Sequence, residues 1–443
     1  MRALILATIL LAAAPAHAQT APTSNSAERA VEQPTPRQIV TELAARIRGL
    51  YFDPVVGARI AADLEAESEA GAFDALTDGR DLAAALSSRL RPLDAHFNVA
   101  FDPSAPAVPT VPRAAPPQRA PGVGAPPRGP NPAEVRSNFG FRKVEILPGN
   151  VGYIDLRQFS NINFDNPADP ARRAADAALD FVSDADAVIF DLRDNGGGAP
   201  SMVGYLASAF TPAGTPIYNV FHSRSGTRSE APQVFHPNPR LEVPVYVLIS
   251  GRTGSAGEAL PYTLQGARRA TIVGEASGGA ANPGGMVPVG WGYAVFISQG
   301  SPRNPNTGGN WEGTGVLPDV AVPWDQALNR AHTLALEAIV AADSGRTDAV
   351  WALEAMNTPA VASDLSAYAG AYGEQTVSVV GDTLPVVRGR RPPLVLSVLG
   401  PDLFTIAGDP TRRVQFTRDE SGRVTTMDAL GLGGPGPRAR RTD

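Results

Sequence analysis

The chain has 443 residues, 43% of them hydrophobic and 19% charged, and a formal net charge of −6, a composition that gives a globular protein room for two or three domains. The charge is spread along the chain without a basic stripe, which argues against a nucleic-acid partner. The absence of cysteine rules out disulfides, thiolate metal sites and a cysteine nucleophile.

In chain order, residues 1–18 place one arginine before an apolar run and end in Ala16-His17-Ala18, the pattern of a signal peptide cleaved before Gln19. The run is about a dozen residues, short of the roughly 20 that span a bilayer. The expectation is export, to the periplasm or outside the cell, with no integral membrane segment after cleavage. Residues 19–34 are rich in Ser, Thr, Pro and Ala and are expected to be disordered.

Residues 35–102 read as an N-terminal helical domain. Thr35, Pro36 and Gln38 form a capping-box start, followed by Ile39, Leu43, Ile47 and Leu50 on one helical face. Two more helical patterns follow, and then HFNVAF alternates like a strand. Residues 103–136 carry a dense proline run, expected to be a semi-extended linker.

Residues 137–342 alternate short apolar strands with helices. VGYIDL, ADAVIFDL, VPVYVLIS, RATIVGE and YAVFIS are the strand candidates, and AVIF and VYVLI are apolar on both faces, as a sheet covered on both sides requires. Residues 343–430 show alternating strands broken by Gly and Asp turns, a small antiparallel β domain. The Gly, Pro and Arg tail, 431–443, is expected to be disordered.

Three stretches at strand ends carry candidate chemistry: FDLRDNGGG, GRTGSAGEAL and GNWEGTGVLPDV. In the second, Ser255 opens a helix, where the helix dipole and the Ala256 N–H favour a developing negative charge. The same spacing, with Glu258 three residues on, is that of a simple capping box. In the first, Gly196, Gly197 and Gly198 can turn backbone N–H groups toward one point, as an oxyanion hole needs. The glycines are equally consistent with a flexible turn.

Taken in order, ADAVIFDLRDNGGG, VYVLISGRTGSAGEAL, RRATIVGEASGGA and WEGTGVLPDVAV resemble the catalytic core of the tail-specific, or C-terminal processing, serine peptidase family. The resemblance covers roughly residues 137–342. It implies an α/β fold with a Clp protease- and crotonase-like ββα core, Ser255 as nucleophile, and an oxyanion hole from the N–H groups of Ala256 and the Gly196/Gly197 turn.

One branch of that family deprotonates its serine with a lysine in the Gly-rich turn equivalent to residues 274–280. That turn holds no lysine here, and Lys143, the chain's only lysine, lies far upstream. The other branch includes tricorn protease and the domains of the interphotoreceptor retinoid-binding protein, and its tricorn-like members use histidine with a carboxylate. An imidazole suits a general base near neutral pH.

His96, in LDAHFNVAF, best resembles the Asp-x-His motif that precedes this core. His222 and His236 sit in a polar loop, and His332 lies in the last helix of the core. The resemblance implies Glu312 as the orienting carboxylate, with Asp94 and Glu258 as competitors. No stretch long enough for a PDZ domain separates the helical unit from the core.

These readings imply a peptide or protein substrate, a serine endopeptidase with His base and Glu orienter, no cofactor and no metal site. A non-catalytic ligand-binding protein on the same core, and an esterase or acyl transferase, are the alternatives.

Overall fold

The computed structural model describes residues 34–104, 131–358 and 364–443. The expected leader over residues 1–18, nearly all of the segment 19–34 and most of the Pro-rich run therefore lie outside the described residues.

Helix α1 (Pro36–Leu50) starts with the expected capping box, in which the Thr35 N–H donates to Gln38 Oε1 at 2.8 Å. Its apolar stripe buries Ile39, Leu43 and Ile47 against α2 (Pro54–Glu69) and α3 (Gly79–Leu90). Asp53 and Asp78 cap the latter two helices through their side chains.

The same cluster takes in Val289, Tyr293, Val295 and Ile297 from far down the chain. Strand β1 (Val99–Phe101) pairs antiparallel with a later strand, Tyr293–Ser298, which pairs in turn with Gly284–Gly290. The helical unit and the α/β core thus share a sheet and a hydrophobic cluster.

Beyond the Pro-rich run, Asn131 caps a short helix, α4 (Pro132–Arg136), inside the stretch expected to be linker. The central sheet then takes β2 (Phe141–Leu147), β3 (Val151–Leu156) and β4 (Ala187–Asp191). After a hairpin, β5 (Val220–Ser223) and β6 (Gly226–Ser229), come β7 (Val245–Ile249) and β8 (Thr271–Gly274). The two strands already met on the helical unit are β9 (Gly284–Gly290) and β10 (Tyr293–Ser298). Strand β11 (Gly300–Arg303) joins the hairpin, and β12 (Val320–Ala321) ends the main sheet.

The main sheet runs β12-β8-β7-β4-β3-β2, parallel except for the edge strand β2. Every residue of β3, β4 and β7 is buried, which explains their uninterrupted apolar runs. Helices α5 (Pro170–Phe181), α6 (Pro200–Ser208) and α7 (Ala256–Gly266) contribute to the cluster on one face. Helices α8 (Ala327–Ala342) and α9 (Thr347–Asn357) contribute to that on the other. Because β4, β7 and β8 are parallel and adjacent, the loops that leave them open at one edge of the sheet.

The C-terminal unit is an eight-stranded meander, β13 (Gly370–Tyr372), β14 (Gln375–Val377), β15 (Leu384–Arg388), β16 (Leu394–Gly400), β17 (Leu403–Ile406), β18 (Asp409–Arg418), β19 (Val424–Gly431) and β20 (Gly434–Arg440). Two expectations are corrected here. The segment after residue 343 begins with helix α9, not a strand, and that helix docks the β unit through Arg413, which pairs with Glu354 at 2.5 Å and stacks on Trp351.

The tail expected to be disordered forms β20. It pairs with β19 and continues to β13, the Gly373 N–H donating to the Arg440 carbonyl at 3.1 Å and the Thr442 N–H to Ala371 at 2.9 Å. Composition read this tail as coil because Pro and Gly weaken an isolated strand. What holds it is closure of the meander, which leaves neither end strand unpaired, together with the Arg438–Asp428 pair at 2.7 Å.

Candidate active site

Strand β7 ends at Ile249 and the chain turns tightly before α7. Thr253 fixes the turn, its Oγ1 accepting from the Ser250 N–H at 3.0 Å and donating to the Leu192 carbonyl at 2.7 Å. Ser255 follows at φ 54°, ψ −122°, a backbone region that residues with side chains occupy only where the surroundings force it.

A capping serine would accept the Glu258 N–H with its hydroxyl. Here that N–H donates to the Ser255 carbonyl oxygen at 2.9 Å, with the hydroxyl beside it in capping-box position, and the Ser255 N–H donates to Glu258 Oε2 at 2.7 Å.

Glu258 is fully buried. Its carboxylate also accepts from Ser277 Oγ at 2.6 Å, Gly279 N–H at 2.7 Å and Ala280 N–H at 2.9 Å. Burial pushes its carboxyl above the ordinary range, against the pull of those donors. Glu258 is therefore the clasp between the serine turn and the loop after β8, and no longer a candidate to orient an imidazole.

The loop after β4 packs against the same turn. Asn195, fully buried, donates to the Leu156 carbonyl at 2.9 Å, accepts the Gly197 N–H on Oδ1 at 2.9 Å, and receives the Gly254 N–H on its own carbonyl at 3.0 Å. Gly197 sits at φ 116°, and a Cβ there would lie 2.8 Å from Ser255 Cβ. The oxyanion-hole assignment of Gly197 needs correction on this point, because its N–H is already engaged by Asn195.

Among the described residues the N–H groups of Ala256 and Gly198 have no protein acceptor, and both residues line the cleft onto which Ser255 opens. Gly196 is not among the lining residues. Sequence reasoning named Gly198 within the glycine run without giving it a role and gave none to Asn195, for which the asparagine immediately before that run was the available signal.

His96 lies at the other side of the loop after β8, in the turn that leads into β1. Its Nδ1 is 3.8 Å from Asp94 Oδ1 and 3.9 Å from Glu312 Oε2, and is buried without a hydrogen-bond partner. Its ring stacks on Phe296 with centroids 5.4 Å apart.

Glu312 accepts three backbone N–H groups, from Ala95 at 2.7 Å, Ala281 at 2.6 Å and Asn282 at 3.0 Å. Asp94 accepts the His96 N–H at 3.0 Å and the Tyr51 hydroxyl at 3.1 Å. Burial, then the Asp94 charge, pushes the Glu312 carboxyl up to about 7, while burial lowers the His96 imidazole. Ala281 connects the two halves, since it lines the Ser255 cleft and donates to Glu312.

One oxygen or nitrogen from each of Asp94, His96 and Glu312 falls within 4.8 Å of the others, a cluster that spacing along the chain did not reveal. Both carboxylates already accept from N–H and O–H donors of the protein. The other candidates are not part of this cluster. Lys143 lies on edge strand β2, paired with Glu145. His222 is on β5, His236 packs on Tyr205, and His332 Nε2 is 2.8 Å from the Pro148 carbonyl.

A serine on a strained turn opens a helix at the carboxyl edge of a covered parallel sheet, beside backbone N–H groups that have no protein acceptor among the described residues, an arrangement of the kind serine hydrolases use. Residues 150–322 match the family model of peptidase family S41.

The chain is 29% identical over 182 residues to a carboxy-terminal-processing protease of Bartonella bacilliformis, covering 40% of this chain and 39% of that one. It is 34% identical over 129 residues to a carboxyl-terminal-processing protease of Synechocystis, covering 29% and 28%. The match thus spans about two fifths or less of these relatives' length. A putative peptidase from Parabacteroides merdae superposes with a TM-score of 0.45 at 17% identity, over 68% of this chain and 97% of that one.

Proposed function

We propose that the protein is an exported serine endopeptidase in which Ser255 is the nucleophile and His96 the base. Ser255 Oγ attacks the carbonyl carbon of a peptide bond and its proton passes to His96. The tetrahedral oxyanion rests on the N–H groups of Ala256 and Gly198. His96 returns the proton to the leaving amine as the C–N bond breaks, and water then hydrolyses the acyl-enzyme by the same route. Glu312, assisted by Asp94, holds the imidazole and stabilises its charged form.

The observation that carries this reading is the Ser255 turn. A helix-opening serine is held at φ 54°, beside the Ala256 and Gly198 N–H groups, which have no protein acceptor among the described residues. Such a backbone is strained, and strain of this kind accumulates at reacting centres. Export rests on the leader pattern of residues 1–18. Among the described residues no helix is long and apolar enough to cross a membrane.

The test is labelling with a fluorophosphonate, read by mass spectrometry, alongside cleavage of an unfolded protein substrate. Wild type should be labelled at Ser255 and cleave, and Ser255→Ala and His96→Ala should do neither. Cleavage retained in Ser255→Ala overturns the proposal. Saturable apolar-ligand binding without labelling would mark a ligand-binding protein, and ester hydrolysis without proteolysis an esterase.

A further inference from the structure

We infer that the cleft beside Ser255 is a side-chain pocket for lysine or arginine on the acyl side of the scissile bond, with Glu230 as its anionic floor; this rests on the peptidase reading above. The pocket follows one face of α7. Ala256, Ala259 and Thr263 all line it, at the three- and four-residue spacing that stacks side chains on a helix face. Eight residues at 1.5 Å each separate Ser255 from Thr263 by about 12 Å along the helix.

The walls between are apolar: Val203, Tyr218, Pro302 and Trp311. Gly204 on α6 also lines the pocket, and a Cβ there would come within 3.0 Å of the Glu230 carbonyl, so this glycine lets the hairpin bearing Glu230 lie close.

The far end is polar. Asn219, buried to 2% exposure, donates its amide to Glu230 Oε2 at 3.2 Å and lies 3.5 Å from Thr263 Oγ1. Its own oxygen accepts from Asn304 Nδ2 at 3.2 Å. Among the described residues this one amide is the only hydrogen-bond donor to the Glu230 side chain, which has no cationic partner. Arg228, nearby on the same hairpin, lies instead over the Phe221 ring at 5.6 Å. Burial pushes the Glu230 carboxyl above its ordinary value.

A carboxylate in an apolar-walled pocket with one neutral donor is under-satisfied. A cation on an aliphatic stem meets both demands, its methylenes against the walls and its charged tip on Glu230 and Asn219. An apolar side chain of equal length leaves the carboxylate unpaired, and that difference is the source of discrimination.

The experiment uses two peptidyl diphenyl phosphonates, identical except for lysine or norleucine at the position before the phosphorus, with phosphonylation of Ser255 followed by mass spectrometry. The lysine reagent should react at least tenfold faster with wild type, and in Glu230→Gln the lysine-to-norleucine ratio should fall toward unity. A folding defect lowers both rates together and leaves the ratio, and the wild-type ratio decides the sign even if the variant fails to fold.

Equal wild-type rates, with Ser255 still labelled by a plain fluorophosphonate, overturn the pocket assignment alone. A ratio unchanged in Glu230→Gln overturns the role of Glu230. No labelling by any of these reagents overturns the peptidase reading and the pocket with it.

Discussion

Glu312 Oε1 accepts the backbone N–H of Ala95 at 2.7 Å, across 217 residues of chain. The partner oxygen takes the N–H groups of Ala281 and Asn282, so one carboxylate fastens the helical unit to the loop of the core that borders the Ser255 cleft. His96 follows Ala95 directly. Its position against the core is therefore set by the carboxylate proposed to orient its ring.

Glu312→Gln tests that double role. A glutamine keeps the size but offers one acceptor oxygen and an unwanted donor, so at least one of the three N–H groups loses its partner. The expected cost is about 1–3 kcal/mol of stability, with a fall in turnover of roughly 10²- to 10⁴-fold, measured by thermal unfolding and by peptide hydrolysis. Glu312→Asp should recover part of the turnover. Loss of stability with turnover intact would make Glu312 a structural clasp only.

The pH dependence has a definite sign. The Glu312 carboxyl is pushed up to about 7 from an ordinary 4.5, so the fold favours its protonated form. That contribution to stability is complete below about 4.5 and is lost as pH rises through about 7. His96, lowered by burial, works the other way, its contribution being present above 6.5 and lost as pH falls through its folded value.

Asp94→Asn removes one cause of the Glu312 rise. The acid limb of the fluorophosphonate labelling rate, which reports the coupled group, should therefore move to lower pH. A limb that stays in place would remove Asp94 from the charge balance of the site.

Gly197→Ala probes the serine turn from the opposite loop. The new Cβ would stand 2.8 Å from Ser255 Cβ and 3.0 Å from the Gly254 carbonyl oxygen, at a backbone angle of φ 116°. Destabilisation of about 1–3 kcal/mol is expected, with labelling of Ser255 lowered at least tenfold. Labelling at the wild-type rate would mean that the turn tolerates displacement and that its geometry is not what activates the serine.

Deleting residues 432–443 removes β20 and opens the C-terminal meander. The edges of β13 and β19 lose their partners, so the unit should bind more of a hydrophobic dye and be cut faster by trypsin beyond residue 364. Unchanged dye binding and digestion would show that β20 contributes no closure.

The sequence by itself determined what depends on neighbours along the chain. The capping box at Thr35, the doubly apolar strands β4 and β7, the turn that presents Ser255 and the alternation of the C-terminal strands are local patterns, and local sterics and burial are enough to set them. The tertiary structure decided what depends on contacts between distant segments.

The Glu258 carboxylate ties the Ser255 turn to the loop at 277–280. The Gly197 N–H is taken by Asn195, which hands the cleft to Gly198. His96 comes within 3.9 Å of Glu312 through contacts between segments more than 200 residues apart, the Ala95 N–H on Glu312 among them. A tail that reads as coil becomes a strand because a ring of strands needs its last member. Hydrogen-bond partners and buried neighbours are chosen in space, and residue spacing does not record that choice.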